Sequence, residues 1–181
     1  IKLESLGGGL DTLTPEQETL LIPLWIKGQR DNPLFFDRKA QEILQQVDYD
    51  FKRLHVPYKT VILVSQRAKK LDAITRQFLK ESPEATVLHL GCGLDSRFGR
   101  VDNGQVEWYD LDMPPVIDRR RKFYPEAQHY HMIASSVTDL DWMEQAPGKD
   151  KPTLVIAEGL LMYLDEAGVK SLLLQLQKTY P

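Results

Sequence analysis

The hydrophobic pattern of the chain changes near residue 85, which divides it into two predicted regions. Before that point apolar residues recur at the three- and four-residue spacing of amphipathic helices. The pattern predicts helices from Pro15 to about Lys27, from about Arg38 to Val47 after the N-cap Asp37, and over residues 60–80. In the longest of these helices, the residues on or near one stripe are Leu63, Arg67, Leu71, Ile74 and Phe78.

After residue 85 four short apolar runs have the length of strands. They lie at residues 85–90, 106–111, 128–134 and 153–157. Pro114-Pro115 interrupts the chain after the second run, and we predict a short basic helix over residues 116–123. Asp165 is a predicted cap for a last helix at residues 166–178, whose inward-facing residues we take to be Val169, Leu172, Leu173 and Leu176. Helices followed by strand–helix alternation predict the α/β class, with a doubly wound Rossmann-like sheet and an N-terminal helical cap.

We place the helical cap at residues 1–59 and the α/β domain at residues 60–181, as one structural unit. The last predicted strand is a continuous apolar run, which is typical of a strand with neighbours on both sides. At the edge of a sheet such a strand would be open to pairing with other chains. We therefore expect the α/β domain to be incomplete at its C-terminus, with further strands in a longer natural protein.

Composition excludes several classes of function. The 181 residues are 42% hydrophobic and 27% charged, as in an ordinary soluble globular domain. A net charge of −3 gives no electrostatic basis for nucleic-acid binding, and no apolar run approaches the roughly 20 residues of a membrane-spanning helix. The single cysteine, Cys92, excludes an internal disulfide and a cysteine-based zinc site, and it fits a reducing, cytoplasmic setting. We expect no metal ion.

The candidate chemistry begins where the first strand ends, at Gly91-Cys92-Gly93. Glycine lets the backbone approach a ligand without an intervening Cβ, so we take Gly91 and Gly93 as cofactor-binding residues. The next strand ends in acids, and an acid there can accept hydrogen bonds from ribose hydroxyls. We choose Asp112 for this role and keep Asp110 as the alternative, which we place on the other face of the strand. The glycine segment could instead be a tight strand–helix turn without a ligand, and either acid could instead cap a helix.

The third glycine of the dinucleotide fingerprint would fall at Ser96, which favours a nucleoside cofactor without phosphates. Glu158 directly follows the last apolar strand, at the end where open α/β sheets bind ligands. Its carboxylate could accept a hydrogen bond from a cofactor's ammonium group, or it could simply end the strand in solvent. Arg67 could hold a carboxylate with its planar fork, or it could be a surface arginine whose stem covers apolar surface.

Several ordered blocks together resemble the leucine carboxyl methyltransferase family, and most of all its bacterial branch with tetracenomycin-type polyketide O-methyltransferases. The blocks are Ser65–Arg67, Leu90–Arg97, Tyr109–Pro114 and Ala157–Tyr163. The resemblance runs from about Leu20 to the end of the chain. It implies a class I methyltransferase fold with S-adenosylmethionine (SAM) as the methyl donor.

Carried over position by position, the resemblance assigns roles to individual residues. Arg67 is implied to hold the methionine carboxylate, Gly91 to lie against the cofactor, and Asp112 to take the ribose. Glu158 is implied to lie near the methionine amine. The pair that flanks the adenine corresponds to Ser136 and Val137, and the basic residue of the N-terminal helix to Lys27.

We therefore expect a SAM-dependent O-methyltransferase acting on a carboxylate or phenolic hydroxyl of a small molecule. A carboxylate is ionised at neutral pH and needs no general base, so we assign no catalytic residue. Tyr163 is the candidate to assist a phenol. The alternatives are a NAD-type Rossmann oxidoreductase and a non-catalytic SAM-binding module. The sequence does not specify the acceptor or the oligomeric state.

Overall fold

The computed structural model describes residues 15–47, 49–148 and 150–180. Its helices are α1 (Pro15–Gly28), α2 (Arg38–Leu44), α3 (Tyr58–Glu81), α4 (Arg97–Val101), α5 (Pro114–Arg120) and α6 (Glu166–Thr179). Its strands are β1 (Thr86–Leu90), β2 (Glu107–Asp112), β3 (Tyr130–Ala134) and β4 (Thr153–Ile156). The described residues divide into two compact units, one within residues 15–74 and 94–100 and one within residues 75–93 and 101–180. We call them the N-terminal unit and the sheet unit; the boundary predicted after residue 59 stays a prediction.

The sheet unit is built on four parallel strands in the order β3-β2-β1-β4. Leu90 pairs with Leu111, and Asp112 pairs with Ala134. Because all four strands run in the same direction, their carboxyl ends meet at one edge of the sheet. All five residues of β1 are buried, as expected for a central strand covered on both faces. The arrangement confirms the predicted α/β class with a Rossmann-like sheet.

The core of the sheet unit lies between the strands and the segments that follow β3 and β4. Its buried members include Leu88, Leu90, Leu111, Ile133, Trp142, Leu172 and Leu176. α6 contributes Leu172 and Leu176, as predicted, but Leu173 is 52% exposed. The prediction that Leu173 faces inward is therefore wrong. Its neighbour Leu172 already occupies the inward position on that turn of the helix.

α3 is a long helix as predicted, but the buried face differs from the predicted stripe. Leu63 is 62% exposed and Ile74 is 45% exposed, whereas Val64 and Ala68 are buried. The buried face also carries Asp72, which is only 2% exposed. A helix face that buries a paired charge does not follow apolar spacing, and this is why the pattern selected the wrong stripe.

Helix termini follow the predicted capping chemistry more closely than the predicted bounds. The side chains of Asp37 and Asp165 accept hydrogen bonds from the backbone N–H groups of Ala40 and Gly168, so both predicted N-caps are confirmed. α5 starts at Pro114 rather than at residue 116. The two prolines open this helix instead of interrupting the chain, since a first-turn residue needs no N–H.

Candidate functional site

β1 ends in a turn in which Gly91 and Gly93 have φ angles of 65° and 53°. This left-handed region disfavours residues with a Cβ. The N–H groups of Gly91 and Cys92 donate to the carbonyl of Leu111 at 2.8 and 3.2 Å, which fastens the turn to β2. A Cβ added at Gly91 would lie only 3.0 Å from Cδ1 of Leu160. The turn therefore needs glycine at position 91 for both its conformation and its close packing.

Asp112 is the last residue of β2 and is joined directly to the glycine turn. The N–H of Gly93 donates to Asp112 Oδ2 at 2.8 Å, and the N–H of Met113 donates to Oδ1 at 2.8 Å. A carboxylate has about four acceptor positions, so each oxygen keeps one in addition to these bonds. Burial raises the pKa of Asp112, and the two backbone hydrogen bonds and the charges of His89 and Arg120 oppose that rise.

Asp110, the alternative to Asp112, is fully buried and surrounded by donors. Trp108 Nε1 donates to its Oδ1 at 2.9 Å, Tyr130 OH donates to its Oδ2 at 2.6 Å, and His89 Nδ1 lies 2.9 Å from Oδ1. The Arg120 guanidinium forms an ion pair with it. Burial raises the pKa of Asp110, but the charge of Arg120 with the contacts from His89 and Tyr130 outweighs burial and lowers this pKa to about 2. Asp110 is therefore an ionised, fully buried anchor at neutral pH.

Our placement of Asp110 on the other face of the strand is wrong. Residues two apart in a strand share a face, and the hydrogen bond from Trp108 Nε1 to Asp110 shows this for one such pair in β2. Asp110 differs from Asp112 in its depth and its partners, not in the direction of its side chain. The acceptor positions of the Asp110 carboxylate thus face the side chains of Trp108, Tyr130, His89 and Arg120, and the choice of Asp112 for an external ligand stays a prediction.

The remaining predicted residues of the sheet unit also follow strand ends. Glu158 lies two residues after the end of β4 and is partly buried. The segment that contains it meets the glycine turn, since Leu160 packs against Gly91. Tyr163, in a short 3-10 turn of the same segment, is 61% exposed.

After β3, the hydroxyl of Ser136 shares a hydrogen bond of 2.9 Å with Thr138 Oγ1. Val137 is buried, and its carbonyl accepts a hydrogen bond from Trp142 Nε1 at 3.1 Å. This loop is therefore held in place at its backbone, while Ser136 is only partly buried. The sheet unit thus gathers the glycine turn, Asp112, this loop and Glu158 at one edge.

The N-terminal unit holds the two other predicted residues. Lys27, in the last turn of α1, is 3% exposed, and its Nζ lies 2.8 Å from Asp95 Oδ1. Arg67 lies in α3 and is partly buried. Lys27 thus already has a carboxylate partner in the protein. The roles of Lys27 and Arg67 toward a cofactor stay predictions.

A buried charge network in the N-terminal unit was not predicted from the sequence. We use this name for the group formed by Asp37, Asp72, Asp95, Arg97 and Arg100. Arg100 donates to Asp37 and Asp72 at 2.7 Å and to Asp95 at 3.0 Å, and Arg97 Nε donates to Asp72 at 2.9 Å. No local signal in the sequence marks this network, because the burial of Asp72, which calls for a cationic partner, is apparent only in the structure.

Ser96 contributes to the same region, because its hydroxyl donates to Asp37 Oδ2 at 2.6 Å. Asp37 also caps α2, so one carboxylate joins the cap to the segment after the glycine turn. A glycine at position 96 would remove this hydrogen bond. The departure from the dinucleotide fingerprint therefore has a structural use in this chain.

Comparison with known proteins identifies the family. Residues 25–177 match the leucine carboxyl methyltransferase family. The tetracenomycin polyketide synthesis O-methyltransferase TcmP of Streptomyces glaucescens is 43% identical over 173 residues, covering 93% of this chain and 64% of the relative. The S-adenosyl-L-methionine-dependent methyltransferase dpfgK of Gibberella zeae is 34% identical over 188 residues, covering 93% of this chain and 63% of the relative. The chain thus spans just under two thirds of the length of these relatives.

These matches confirm the resemblance drawn from the sequence blocks, and with it the Rossmann-like fold and SAM, rather than a dinucleotide, as the expected cofactor. None of the described helices combines the length and the hydrophobicity that a membrane span requires. The sheet order, the glycine turn and the family match agree with one another. The chain belongs to the leucine carboxyl methyltransferase family.

Proposed function

We propose that the protein is a SAM-dependent O-methyltransferase that acts on a carboxylate or phenolic hydroxyl of a small molecule. One observation carries the proposal. Asp112 ends β2 beside the glycine turn, is held there by two backbone N–H groups, and keeps one acceptor position on each oxygen. Two acceptor positions are the number that the two hydroxyls of a ribose require. The family membership supports a methyltransferase over other nucleoside-binding proteins.

The residues at the carboxyl edge of the sheet fit the parts of such a cofactor. Asp112 is proposed to bind the ribose hydroxyls, and the backbone of Gly91 and Gly93 to lie along the ligand. The carboxylate of Glu158 suits an ammonium group, and Ser136 with Val137 is proposed to flank the adenine. The cofactor supplies a methyl group already activated by a positively charged sulfur.

On the family resemblance, Arg67 and Lys27 are proposed to bind the methionine end of the cofactor. A guanidinium matches a carboxylate with two parallel hydrogen bonds, so Arg67 suits the methionine carboxylate. Lys27 is paired with Asp95 in the structure, so it would offer its remaining N–H donors.

The protein's own contribution to methyl transfer is proposed to be positioning and the exclusion of water. A carboxylate acceptor is ionised at neutral pH, so its transfer step needs no proton acceptor from the protein. A phenol, with a pKa of about 10, needs one, and Tyr163 is the candidate to assist it. A rate that is flat between pH 6 and 8 would indicate a carboxylate acceptor, and a rate that rises with pH would indicate a phenol.

The relatives guide the choice of acceptors to test. One is named for tetracenomycin polyketide synthesis, so aromatic polyketide acids and phenols form the first panel. The net charge of −3 supports a small-molecule acceptor rather than nucleic acid. The single buried cysteine supports a reducing, cytoplasmic location.

Calorimetric titration of the purified protein with SAM, and separately with NAD, tests the proposal. We expect SAM to bind and NAD not to bind. Asp112→Ala and Glu158→Ala should each weaken SAM binding about tenfold or more, because each removes charge-assisted hydrogen bonds. The matched control is Asp118→Ala, which removes an exposed acid of α5 and should leave the affinity unchanged.

Absence of SAM binding by a folded sample, or equal affinities for Asp112→Ala and Asp118→Ala, would refute the proposed cofactor site. Binding of SAM without methyl transfer to any member of the acceptor panel would favour a non-catalytic SAM-binding module.

A further inference from the structure

Gly93 is held by the protein through both of its backbone polar groups. Its N–H donates to Asp112 Oδ2 at 2.8 Å, and its carbonyl accepts a hydrogen bond from a terminal guanidinium nitrogen of Arg120 at 2.9 Å. Glycine has more backbone freedom than any other residue, so a turn residue with φ of 53° needs such restraints to keep one conformation. The arginine and the aspartate therefore act on the same residue of the turn.

Arg120 is itself fixed from several sides. It is the last residue of α5 and is fully buried. Its guanidinium pairs with Asp110, its Nε donates to Tyr130 OH at 3.1 Å, and it lies 4.2 Å from the centre of the Tyr124 ring. Tyr130 in turn donates to Asp110. The planar fork of an arginine holds a carboxylate and a carbonyl in one fixed relative geometry, whereas the donors of a lysine ammonium rotate and impose no such geometry.

Stability alone does not account for a buried arginine at this position. Taking two charges out of water costs several kcal/mol per ion, and apolar residues of similar volume often give equal or greater stability. What the ion pair adds here is a donor in a fixed place. That donor binds the carbonyl of Gly93 in the glycine turn. The N–H of the same residue binds Asp112, the predicted cofactor contact.

We propose that Arg120 is a positioning residue for nucleoside binding. Its hydrogen bond to the carbonyl of Gly93 fixes the conformation of this residue. The Gly93 N–H is thereby held where it orients the Asp112 carboxylate toward the ribose hydroxyls. Asp110 is the internal counter-charge that keeps Arg120 in place. The inference rests on the proposed SAM site, and it concerns how that site is ordered.

A double-mutant cycle tests the inference, with the SAM dissociation constant from calorimetry as the readout. Arg120→Met should weaken SAM binding about tenfold in the unchanged protein and less than about twofold when Asp112 is already alanine. A residue that only supports the fold would cost the same factor in both backgrounds. The control is Arg121→Met, which removes a neighbouring, 43% exposed arginine and should leave the affinity unchanged.

Arg120→Lys separates geometry from charge. Lysine keeps the positive charge beside Asp110 but has no fork, so we expect it to bind SAM nearly as weakly as Arg120→Met. Recovery of the unchanged affinity by lysine would overturn the inference, as would equal losses from Arg120→Met in the two backgrounds. Should Arg120→Met fail to fold, Tyr130→Phe replaces it in the cycle. It removes the hydroxyl that links Arg120 to Asp110, and it should weaken binding about threefold only while Asp112 is present.

A second readout does not depend on affinity. In a proton–nitrogen NMR spectrum of the ligand-free protein, Arg120→Lys should shift the amide resonance of Gly93, and Arg121→Met should not. An unchanged Gly93 resonance in Arg120→Lys would also overturn the inference. The outcomes that would overturn the role of Arg120 differ from the outcome that would refute the proposed SAM site. In the latter case Asp112→Ala itself leaves SAM binding intact.

Discussion

Asp72 in the buried charge network is expected to be a major determinant of stability in the N-terminal unit. Its carboxylate is 2% exposed and accepts hydrogen bonds from Arg97 Nε at 2.9 Å, Arg100 Nε at 2.7 Å and a second Arg100 nitrogen at 3.1 Å. Asp72→Ala leaves both guanidinium groups in place without this partner. The network then has two acids for its two arginines, where it had three before, and the hydrogen bonds that Asp72 accepted from both arginines are lost.

The loss of unfolding free energy in Asp72→Ala depends on the hydrogen bonds that the two arginines keep. Removing one partner of a buried ion pair typically costs about 3–5 kcal/mol. Arg100 keeps its bonds to Asp37 and Asp95, so we expect the lower end of that range, about 3 kcal/mol. With a urea dependence of about 2 kcal/mol/M, the unfolding midpoint should fall by about 1.5 M. Asp72→Asn keeps the shape of the side chain but not its charge. Its unfolding midpoint should therefore lie between those of the unchanged protein and Asp72→Ala.

Urea unfolding monitored by circular dichroism measures this change. The experiment is done in the absence of SAM, because a bound ligand would add its own stabilisation. The control is Asp118→Ala, which breaks an ion pair of 3.4 Å whose acid is 72% exposed, and it should cost no more than about 0.5 kcal/mol. If the two variants unfolded at the same urea concentration, the network would contribute no more than a surface pair, and the reasoning would be wrong.

Three further predictions concern the sheet unit. Gly91→Ala should lower the unfolding free energy by more than Gly104→Ala, for which we expect roughly 1 kcal/mol. Both glycines have positive φ, but of the two only Gly91 faces Leu160. Urea unfolding of the two variants measures the difference. The pKa of Asp110 is lowered by folding, so its contribution to stability is complete above pH 4 and is lost as the pH falls toward about 2. Asp110→Asn should therefore lower stability at pH 7 and flatten the stability curve between pH 4 and 2. Leu172→Ala should cost about 2–5 kcal/mol and Leu173→Ala less than about 1, as their thermal unfolding will show.

The sheet and the glycine turn could be predicted because their signals are local. β1 is a mostly apolar run that the glycine turn follows directly, and the structure places the strand and the turn where the pattern does. The caps Asp37 and Asp165 were predictable for the same reason, since each acts on a backbone N–H three residues away. Such features depend on a few neighbouring residues and not on the rest of the fold.

The buried face of α3 could not be predicted in this way. Asp72 reads as a surface residue in the sequence, and only its pairing with Arg97 and Arg100, about 25 residues further along, allows it to be buried. The apolar residues Leu63 and Ile74 gave a plausible stripe that the structure leaves exposed. Long-range charge pairing thus decided the orientation of the helix against the local apolar pattern.

Asp110 and Asp112 show how one strand supplies two acids with opposite properties. They lie two residues apart, so they share a face and differ in depth by about 7 Å along β2. At the deeper position Asp110 is fully enclosed by donors, and its pKa is lowered to about 2. At the strand end the donors to Asp112 from the described part of the chain are two backbone N–H groups, burial raises its pKa, and each oxygen keeps an acceptor position. The inner acid holds Arg120, Arg120 holds Gly93, and Gly93 holds the outer acid, so the buried charge has a direct structural connection to the residue proposed to bind the ribose.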